Sequence, residues 1–288
     1  MTFTGVVIFR DVSSLRVLTA TRYVQPLLEG GSLPAIVDTD ARDLFVAKFR
    51  GAGQGAKALI AEVIVGLLAQ EVLPIPELAL IEIPEAFGRS EPDPEIQDLL
   101  RASHGINFGM RYLDGAFNFD GSAAGDLITP ELAARIVWFD AFVTNPDRTH
   151  RNPNILIWNR QPWLIDHGAA LYAHHDWQSV NEVRTRSPFP LIKDHVLLSL
   201  AGDIEKVDDE MSEVFSGEVI TRAVDGVPDA LLMDKTVTAD YRTPKKTRRR
   251  YVEYLETRLE APRAFVGEAI EAQACGARTP RQRLAARR

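Results

Sequence analysis

The sequence predicts a mixed α+β protein in which a β-rich first part is followed by a mainly helical second part. The chain of 288 residues is longer than one hydrophobic core usually serves, so two folded parts are expected. Up to about residue 83, short runs rich in Val, Ile and Phe are typical of strands, whereas later segments show helical spacing. We expect a first part over 1–105, a second over 106–276, and a basic tail over 277–288.

The first part contains several short strand patterns around one clear helix. The predicted strands are 5–9, 34–38, 43–49 and 78–83. Over residues 55–73 the apolar side chains recur at spacings of three and four, which predicts a helix that Pro74 and Pro76 end. The polar, proline-bearing stretch 88–95 predicts a surface loop before a short helix that reaches about Ala102.

The second part begins with a short strand pattern at 106–110 and then turns mainly helical. Thr129 followed by Pro130 is a typical helix start, a hydroxyl cap before a proline in the first helical position. The runs NILIW and PWLID, joined by a polar turn, predict a tight hairpin over 154–166. Residues from about 190 to 272 predict further helices, interrupted near Gly202, Gly226 and Pro262.

Composition narrows the classes of protein that fit. The net charge of -7 argues against a general nucleic-acid binder, which usually carries a basic domain. The single cysteine, Cys275, excludes an internal disulfide and a thiolate metal cluster, as expected for a protein of a reducing compartment. The longest apolar segment is shorter than a membrane span, and the first residues do not match a signal peptide. We expect a cytoplasmic protein without a membrane span.

Two basic runs, 244–250 and 277–288, contrast with the acidic composition. A solvated helix face and a frayed terminus explain them most simply. The alternative is electrostatic docking of an acidic partner.

Chemistry is concentrated in the stretch NPDRTHRNPNILIW, residues 145–158, where polar groups crowd in front of a strand. Phosphoryl transfer needs an Asp that accepts the proton of the attacking hydroxyl, and an Asn and a second Asp that hold Mg²⁺. Asp147 suits the first role and Asp166, after the hairpin, suits the last. A two-stranded hairpin brings its two ends together, so Asn154 is expected beside Asp166, whereas Asn152 is the alternative by its distance from Asp147.

Two features of the first part suit the binding of phosphate groups. Lys48 lies in an otherwise apolar strand, so its ammonium must either leave for solvent or meet anions. Gly30 and Gly31, followed by Ser32, allow backbone N–H groups to approach phosphate oxygens, although an ordinary hairpin turn has the same composition. A further polar cluster, His174 with His175 and Asp176, has no additional metal ligand nearby in the sequence and is not expected to bind metal.

Taken in order, the segments EGGSLP, FVAKF, AEVIVGLLAQ, NPDRTHRNPNILIW and LIDHGAAL resemble the HipA-like branch of the protein-kinase-like fold, which is related to phosphatidylinositol kinases. The resemblance covers about residues 25–175, and its last two motifs are the most specific. It implies a bilobal fold, a β-rich N-lobe and a mainly helical C-lobe, with ATP and Mg²⁺ bound between them.

The resemblance also implies roles for individual residues. Lys48 would be the phosphate-binding lysine with Glu62 as its partner, and Asp147 the catalytic base, braced by His150. Asp166, with Asn154 or Asn152, would hold the metal. The remaining nucleotide contacts would come from the glycine loop (Gly30, Gly31 and Ser32) and from an adenine-side hinge (Phe108, Gly109, Met110 and Arg111).

The sequence departs from the family pattern at three positions. Thr149 is inserted between Arg148 and His150, His167 replaces a Phe, and Asn154 lies seven residues after Asp147 where five is usual. The spacing favours Asn152 as the metal ligand, while the junction with the strand favours Asn154, the assignment preferred here.

The expected function is an ATP- and Mg²⁺-dependent phosphotransferase with a hydroxyl acceptor, foremost Ser or Thr of a protein. A small-molecule or lipid hydroxyl is an alternative acceptor. A nucleotide-binding interaction module that switches a partner without turnover is the alternative from a different functional class.

Overall fold

The computed structural model describes residues 15–27, 33–53, 55–89, 91–121 and 125–278. The strand predicted at 5–9 lies outside the described residues, as do Gly30, Gly31, Ser32 and most of the basic tail.

Five strands of the first part close into a barrel. They are β1 (Arg16–Pro26), β2 (Ala35–Thr39), β3 (Leu44–Lys48), β4 (Leu78–Ile83) and β5 (Gly105–Arg111), in the spatial order β1-β2-β3-β5-β4. Neighbouring strands are antiparallel except β1 and β4, which pair in parallel and complete the barrel. The interior is filled by alanine, branched aliphatic and aromatic side chains, among them Ala35, Ile81 and Phe45. The strands predicted near 34–38, 43–49 and 78–83 are confirmed to within one or two residues.

Strand β5 moves the end of the barrel beyond the boundary expected at residue 105. Lys48 of β3 pairs with Phe108, and Leu80 of β4 pairs with the same residue from the other side. β5 therefore lies between β3 and β4 and belongs to the barrel as far as Arg111. Barrel closure leaves no unpaired strand edge, and hydrophobic pattern alone does not reveal which strand completes it.

Most of the second part is helical. Its helices follow α1 (Gly55–Ala69) and α2 (Pro94–Ala102) of the first part and are α3 (Pro130–Phe142), α4 (Glu182–Thr185), α5 (Ile204–Val214), α6 (Gly217–Asp225), α7 (Asp229–Leu232), α8 (Lys235–Thr238), α9 (Pro244–Leu259) and α10 (Ala264–Arg278). Short 3-10 turns occupy 125–127, 172–175, 177–179 and 190–194. A small sheet in the order β6 (Phe117–Asn118), β7 (Ile155–Trp158) and β8 (Gln161–Leu164) lies among them. In the described residues the chain is thus of mixed α and β structure.

Helix α1 is buried on nearly all sides. One side packs on the barrel strands β4 and β5, and another packs on α6, α7 and α8. The helix was predicted to reach residue 73 but ends at Ala69. In the tight turn that follows, the backbone N–H groups of Val72 and Leu73 both donate to the carbonyl of Ala69. The two prolines that follow therefore come one turn after the helix end.

Helix α3 leads the chain from the protein core to the polar stretch 145–154. The Thr129 hydroxyl accepts the N–H of Leu132 and Pro130 occupies the first turn, as predicted. Trp138 and Phe142 pack against Phe215 and Phe265 in one aromatic cluster. This burial fixes the end of α3, and with it the start of the polar stretch.

The predicted hairpin is confirmed as strands β7 and β8. Ile155 pairs with Leu164, and Trp158 pairs with Gln161. The two turn residues, Asn159 and Arg160, have φ of 51° and 60°, the left-handed values that a tight two-residue hairpin turn requires. The ends of the hairpin therefore meet at the mouth where Asn154 enters and Asp166 leaves.

Helix α9 carries the basic run 244–250, and the chain itself supplies partners for three of its arginines. Arg248 pairs with Asp229, Arg249 pairs with Glu253, and Arg250 donates to a backbone carbonyl beside Trp177. Docking of an acidic partner on this run stays a prediction.

No helix within the described residues combines the length and the apolar character that a membrane span requires.

Candidate active site

Lys48 is the point at which the barrel, helix α1 and the hairpin meet. Its Nζ donates to Oε1 of Glu62 and to Oδ1 of Asp166, each at 2.5 Å. The Lys48 side chain is 13% exposed and that of Glu62 is fully buried. The second Glu62 oxygen accepts the backbone N–H of His167 at 3.0 Å. The lysine therefore turns inward to meet anions rather than outward to solvent.

The charges of this cluster support one another. Burial disfavours the Lys48 ammonium, but the nearby carboxylates outweigh it and raise the pKa of Lys48. Burial also opposes ionisation of Asp166, yet the adjacent Lys48 charge lowers the pKa of that carboxyl below its usual range. For Glu62, which has lost all contact with water, burial dominates and raises the pKa. Lys48 and Asp166 thus form a charged pair at neutral pH.

Asp147 lies on the polar stretch that follows α3. Its Oδ2 accepts the side-chain amide of Asn152 at 2.7 Å and that of Asn154 at 3.3 Å. Burial raises the pKa of Asp147, the nearby Asp166 charge adds to the shift, and the two amides oppose it. A carboxylate with a raised pKa is a better proton acceptor than an exposed aspartate.

Asn154 and Asp166 lie at the two chain ends that meet at the mouth of the hairpin, as expected. The Asn154 carbonyl accepts the N–H of Ile165 at 3.0 Å, which places Asp166 one residue further along the opposite strand end. Both residues have left-handed backbones, with φ of 50° for Asn154 and 55° for Asp166. Asn and Asp adopt this conformation more readily than most residues. Asn154 is 8% exposed, whereas Asn152 lies at the surface.

The residues predicted as the adenine-side hinge lie within strand β5. Phe108 is buried in the core on the α1 side of the sheet, and Gly109 faces Ile81 inside the barrel. Met110 is also buried, and Arg111 forms ion pairs with acidic side chains of the barrel. The connection that follows the strand starts at Tyr112, one residue beyond the predicted hinge.

Arg148, rather than His150, holds the polar stretch in place. His150 is exposed, and no hydrogen bond of its side chain was found among the described residues. The Arg148 side chain is fully buried; its Nε donates to Asp140 Oδ2 at 2.5 Å and its Nη1 to the Asn154 carbonyl at 2.5 Å. A guanidinium donates in several directions at once, which an imidazole at the surface does not.

Sequence reasoning missed Arg148, Asp140 and His195 as parts of the site. His195 Nε2 lies 3.0 Å from Asp140 Oδ2, although the two residues are 55 positions apart. One signal was present, because Asp140 is the single charged residue in the apolar run IVWFDAFV. A buried acid in such a run requires partners, but the sequence does not name them.

Two further histidines, His167 directly after Asp166 and His174, are buried. Burial lowers the pKa of His167 to about 3, and neither of its ring nitrogens has a hydrogen-bond partner in the described part of the chain. His174 Nδ1 lies 3.1 Å from the Tyr251 hydroxyl, and burial holds the pKa of His174 well below its usual value. Because burial lowers the pKa of both, His167 and His174 are uncharged at neutral pH.

The oxygen donors at the hairpin mouth suit a magnesium ion. Mg²⁺ is usually held by one or two carboxylates together with phosphate oxygens and waters, and not by a cage of protein ligands. Asp166 supplies a carboxylate and Asn154 an amide, with Asn152 nearby. Within the described ranges there is no group of three or more His, Cys, Asp or Glu residues that could hold a metal by itself. The donor set therefore fits Mg²⁺ bound together with a nucleotide.

Comparison with known proteins identifies the family of the chain. A family model described as HipA-like kinase matches residues 21–237, about three quarters of the chain. The matched range includes Lys48, Glu62, Asp147 and Asp166. No curated protein gave a significant match. The chain belongs to the HipA-like kinase family.

Proposed function

We propose that this protein is an ATP- and Mg²⁺-dependent kinase that phosphorylates a hydroxyl group, with Ser or Thr of a protein as the favoured acceptor. The observation that carries the proposal is the convergence of Lys48, Glu62 and Asp166 in one hydrogen-bonded cluster. These residues come from a barrel strand, a helix and a hairpin, and no packing requirement explains three charges at that junction.

The proposed arrangement is bilobal, with the nucleotide between the barrel and the helical part. Direct contact between Lys48 of the barrel and Asp166 of the hairpin supports this placement. Lys48 would bind the α- and β-phosphates and Glu62 would hold its ammonium in position. Because Phe108 and Gly109 face packed interiors, we assign the adenine-side contacts to the residues that follow β5, from Tyr112 onward.

Asp166 and Asn154 are the residues we assign to Mg²⁺. When bound, the ion would neutralise part of the negative charge of the phosphates. Asp147 donates no hydrogen bond when ionised and accepts two amides, so its carboxylate is oriented before an acceptor arrives.

In the proposed reaction, the acceptor oxygen forms a bond to the γ-phosphorus while the bond between that phosphorus and the β,γ-bridging oxygen breaks. ADP leaves with the electron pair of the broken bond, and the proton of the acceptor hydroxyl passes to Asp147. The raised pKa of Asp147 favours this proton transfer. The products are ADP and a phosphate ester.

A protein acceptor is favoured over a lipid because several arginines of the basic helix α9 already have partners within the chain. Arg248 and Arg249 pair with acidic side chains, and Arg250 with Val180 and Trp177. A lipid kinase needs a cationic surface that is available to anionic headgroups.

The test is phosphate transfer from γ-labelled ATP by the purified protein, alone and with a cell extract. We expect labelled protein bands with wild type and at least about 100-fold less transfer with Asp147→Ala, as for removal of a general base. Asp98→Ala, on the exposed face of α2, is the matched control and should transfer phosphate normally.

Circular dichroism and thermal melting must show that Asp147→Ala is folded. Equal transfer by wild type and Asp147→Ala would contradict the catalytic assignment. Metal-dependent ATP binding without transfer to any acceptor would instead favour a nucleotide-binding interaction module.

A further inference from the structure

Asp140, in the last turn of α3, is the centre of a buried polar network. Its carboxylate is fully buried and accepts hydrogen bonds from three side chains. Oδ2 accepts from Arg148 Nε at 2.5 Å and from His195 Nε2 at 3.0 Å, and Oδ1 accepts from Asn145 Nδ2 at 3.0 Å. A carboxylate without water needs such partners, and they keep the pKa of Asp140 well below its usual range despite burial.

Two of these partners lead directly to the candidate active site. Arg148 Nη1 donates to the carbonyl of Asn154 at 2.5 Å and to the carbonyl of Ile165, the residue before Asp166, at 3.4 Å. The Arg148 guanidinium thus joins both ends of the hairpin at its mouth. Arg148, which Asp140 holds in place, therefore bonds directly to the backbone of Asn154 and to the residue before Asp166.

Asn145 makes the corresponding link to the candidate base. Its Nδ2 donates to Asp140, while its Oδ1 accepts the backbone N–H of Asp147 at 3.1 Å. Because the amide nitrogen donates and the amide oxygen accepts, both hydrogen bonds define the orientation of the Asn145 side chain. The position of Asp147 is consequently tied to the same carboxylate as the hairpin mouth.

His195 closes the network from the opposite side. Its Nδ1 accepts the N–H of Leu197 at 3.1 Å, so the ring proton lies on Nε2 and points to Asp140. The next residue, Val196, donates its N–H to the Arg148 carbonyl at 3.0 Å. The segment that begins at His195 therefore holds Arg148 by its backbone as well as through Asp140.

Stability alone is a weak reason for such a network. Buried ion pairs are often replaced by apolar side chains of similar volume without loss of stability, because desolvation offsets their attraction. Asn154 and Asp166, in contrast, have left-handed backbones that require external support. Arg148 donates to the carbonyl of Asn154 and to that of Ile165, so the network supports the backbone at these two positions.

We propose that Asp140 is a positioning residue: through Arg148 it sets the spacing of Asn154 and Asp166, and through Asn145 it sets the position of Asp147. The inference rests on the proposed function, since it concerns the geometry of the same metal and base. It assigns no contact with substrate to Asp140, Arg148 or His195.

The experiment compares wild type with the double variant Asp140→Leu/Arg148→Met, which removes both buried charges together. Mn²⁺ bound in the presence of ATP is measured by electron paramagnetic resonance, and ATP binding without divalent cation is measured separately. We expect about 10- to 100-fold weaker Mn²⁺ binding, the usual effect of losing support behind a metal ligand. Binding of ATP alone, which depends on Lys48, should change less than about threefold, which is about half of one tenfold step in binding free energy.

A control tests whether loss of a partly buried ion pair elsewhere in the helical part has the same effect. Asp208 and Arg263 form a two-bonded pair at 2.8 Å, and Asp208 also accepts the indole N–H of Trp138. Asp208→Leu/Arg263→Met should leave Mn²⁺ affinity as in wild type. Arg148→Lys keeps the charge opposite Asp140 but loses the planar fork, so it should fold and give an intermediate Mn²⁺ affinity.

The outcomes separate this inference from the proposed function. Wild-type Mn²⁺ affinity in both the folded double variant and Arg148→Lys would overturn the positioning role and leave the kinase proposal intact. If wild type itself binds no Mn²⁺ with ATP, the proposed function fails and this inference fails with it. If the double variant does not fold, Arg148→Lys decides: weakened Mn²⁺ binding supports the positioning role, and unchanged binding overturns it.

Discussion

Asn152 and Asn154 both donate an amide to the same oxygen of Asp147, yet their surroundings differ. Asn154 is buried at the hairpin mouth beside Asp166, and Asn152 is exposed on the preceding loop. A metal held between two strand ends needs its second ligand at the mouth. The geometry therefore favours Asn154 over the family's usual five-residue spacing.

We predict that Asn154→Gly weakens Mg²⁺-dependent nucleotide binding at least about tenfold, and that Asn152→Ala weakens it less than about threefold. Glycine is the appropriate replacement at Asn154 because φ is 50° there, and alanine would add strain of about 1 kcal/mol. Titration of a fluorescent ATP analogue with Mg²⁺ gives both values. The reverse order would assign the metal to Asn152.

His167 makes the folded state sensitive to acid. Its folded pKa of about 3 lies below the ordinary value of 6.5, so the unfolded chain takes up the proton first as the pH falls. Stability from this group is complete above pH 6.5 and is lost progressively towards pH 3. Between pH 7 and pH 5 the loss amounts to about 2 kcal/mol.

We predict that His167→Phe reduces by about 2 kcal/mol the fall in unfolding free energy between pH 7 and pH 5, as measured by urea denaturation. Phenylalanine cannot titrate and needs no hydrogen-bond partner in this buried site. His104→Gln, at a partly exposed histidine before β5, is the control and should keep the wild-type pH dependence. An unchanged pH dependence in His167→Phe would show that His167 is hydrated in solution.

At the scale of single elements, Gly109 shows why strand β5 packs so closely. A Cβ at Gly109 would lie 2.4 Å from Cγ1 of Ile81 on the neighbouring strand β4, closer than real Cβ contacts. The barrel interior therefore requires glycine at this position. This packing role accounts for Gly109 without any contact with a nucleotide.

We predict that Gly109→Ala destabilises the protein by about 1–3 kcal/mol in urea unfolding, as overpacking does. Ile81→Ala in the same chain removes the clashing atoms, so the double variant should be more stable than the sum of the single changes by about 1 kcal/mol or more. Gly53→Ala, where an added Cβ meets nothing within 4 Å, is the control. Additive effects of the two single changes would place the strain elsewhere.

At the scale of the whole molecule, helix α1 is shared by the barrel and the helical part. Three ion pairs connect residues in and next to α1 to later elements: Arg50 with Asp234, Lys57 with Asp240, and Glu71 with Arg222. One hydrophobic core runs without interruption from α1 to α10. The element that carries Glu62 is thus held from both sides.

We predict a single unfolding transition, because neither part can lose its structure without exposing α1. The four tryptophans, at positions 138, 158, 163 and 177, report on the second part by fluorescence. Amide hydrogen exchange of the barrel strands reports on the first part. The two measurements should give the same unfolding free energy, and a barrel that exchanges at a clearly lower free energy would contradict the prediction.

Elements whose signals lie in neighbouring residues were predictable from the chain. The helical spacing within 55–69, the capped start of α3 and the turn of the hairpin depend on neighbouring residues, so each was predicted. The hairpin also predicted that Asn154 and Asp166 would meet, because a tight turn fixes the register of both strands.

Contacts between residues far apart in the chain became apparent only in the folded protein. Closure of the barrel placed β5 between β3 and β4, which no local pattern specifies. Folding of the helical part also joined Asp140 to His195 across 55 positions, and packing of helix α1 and the hairpin against the barrel turned the Lys48 side chain inward. A charged residue in an apolar run of the sequence indicates that it needs a partner. Which group reaches it depends on distances in space and not on spacing in the sequence, so only the packing of distant elements determines the partner.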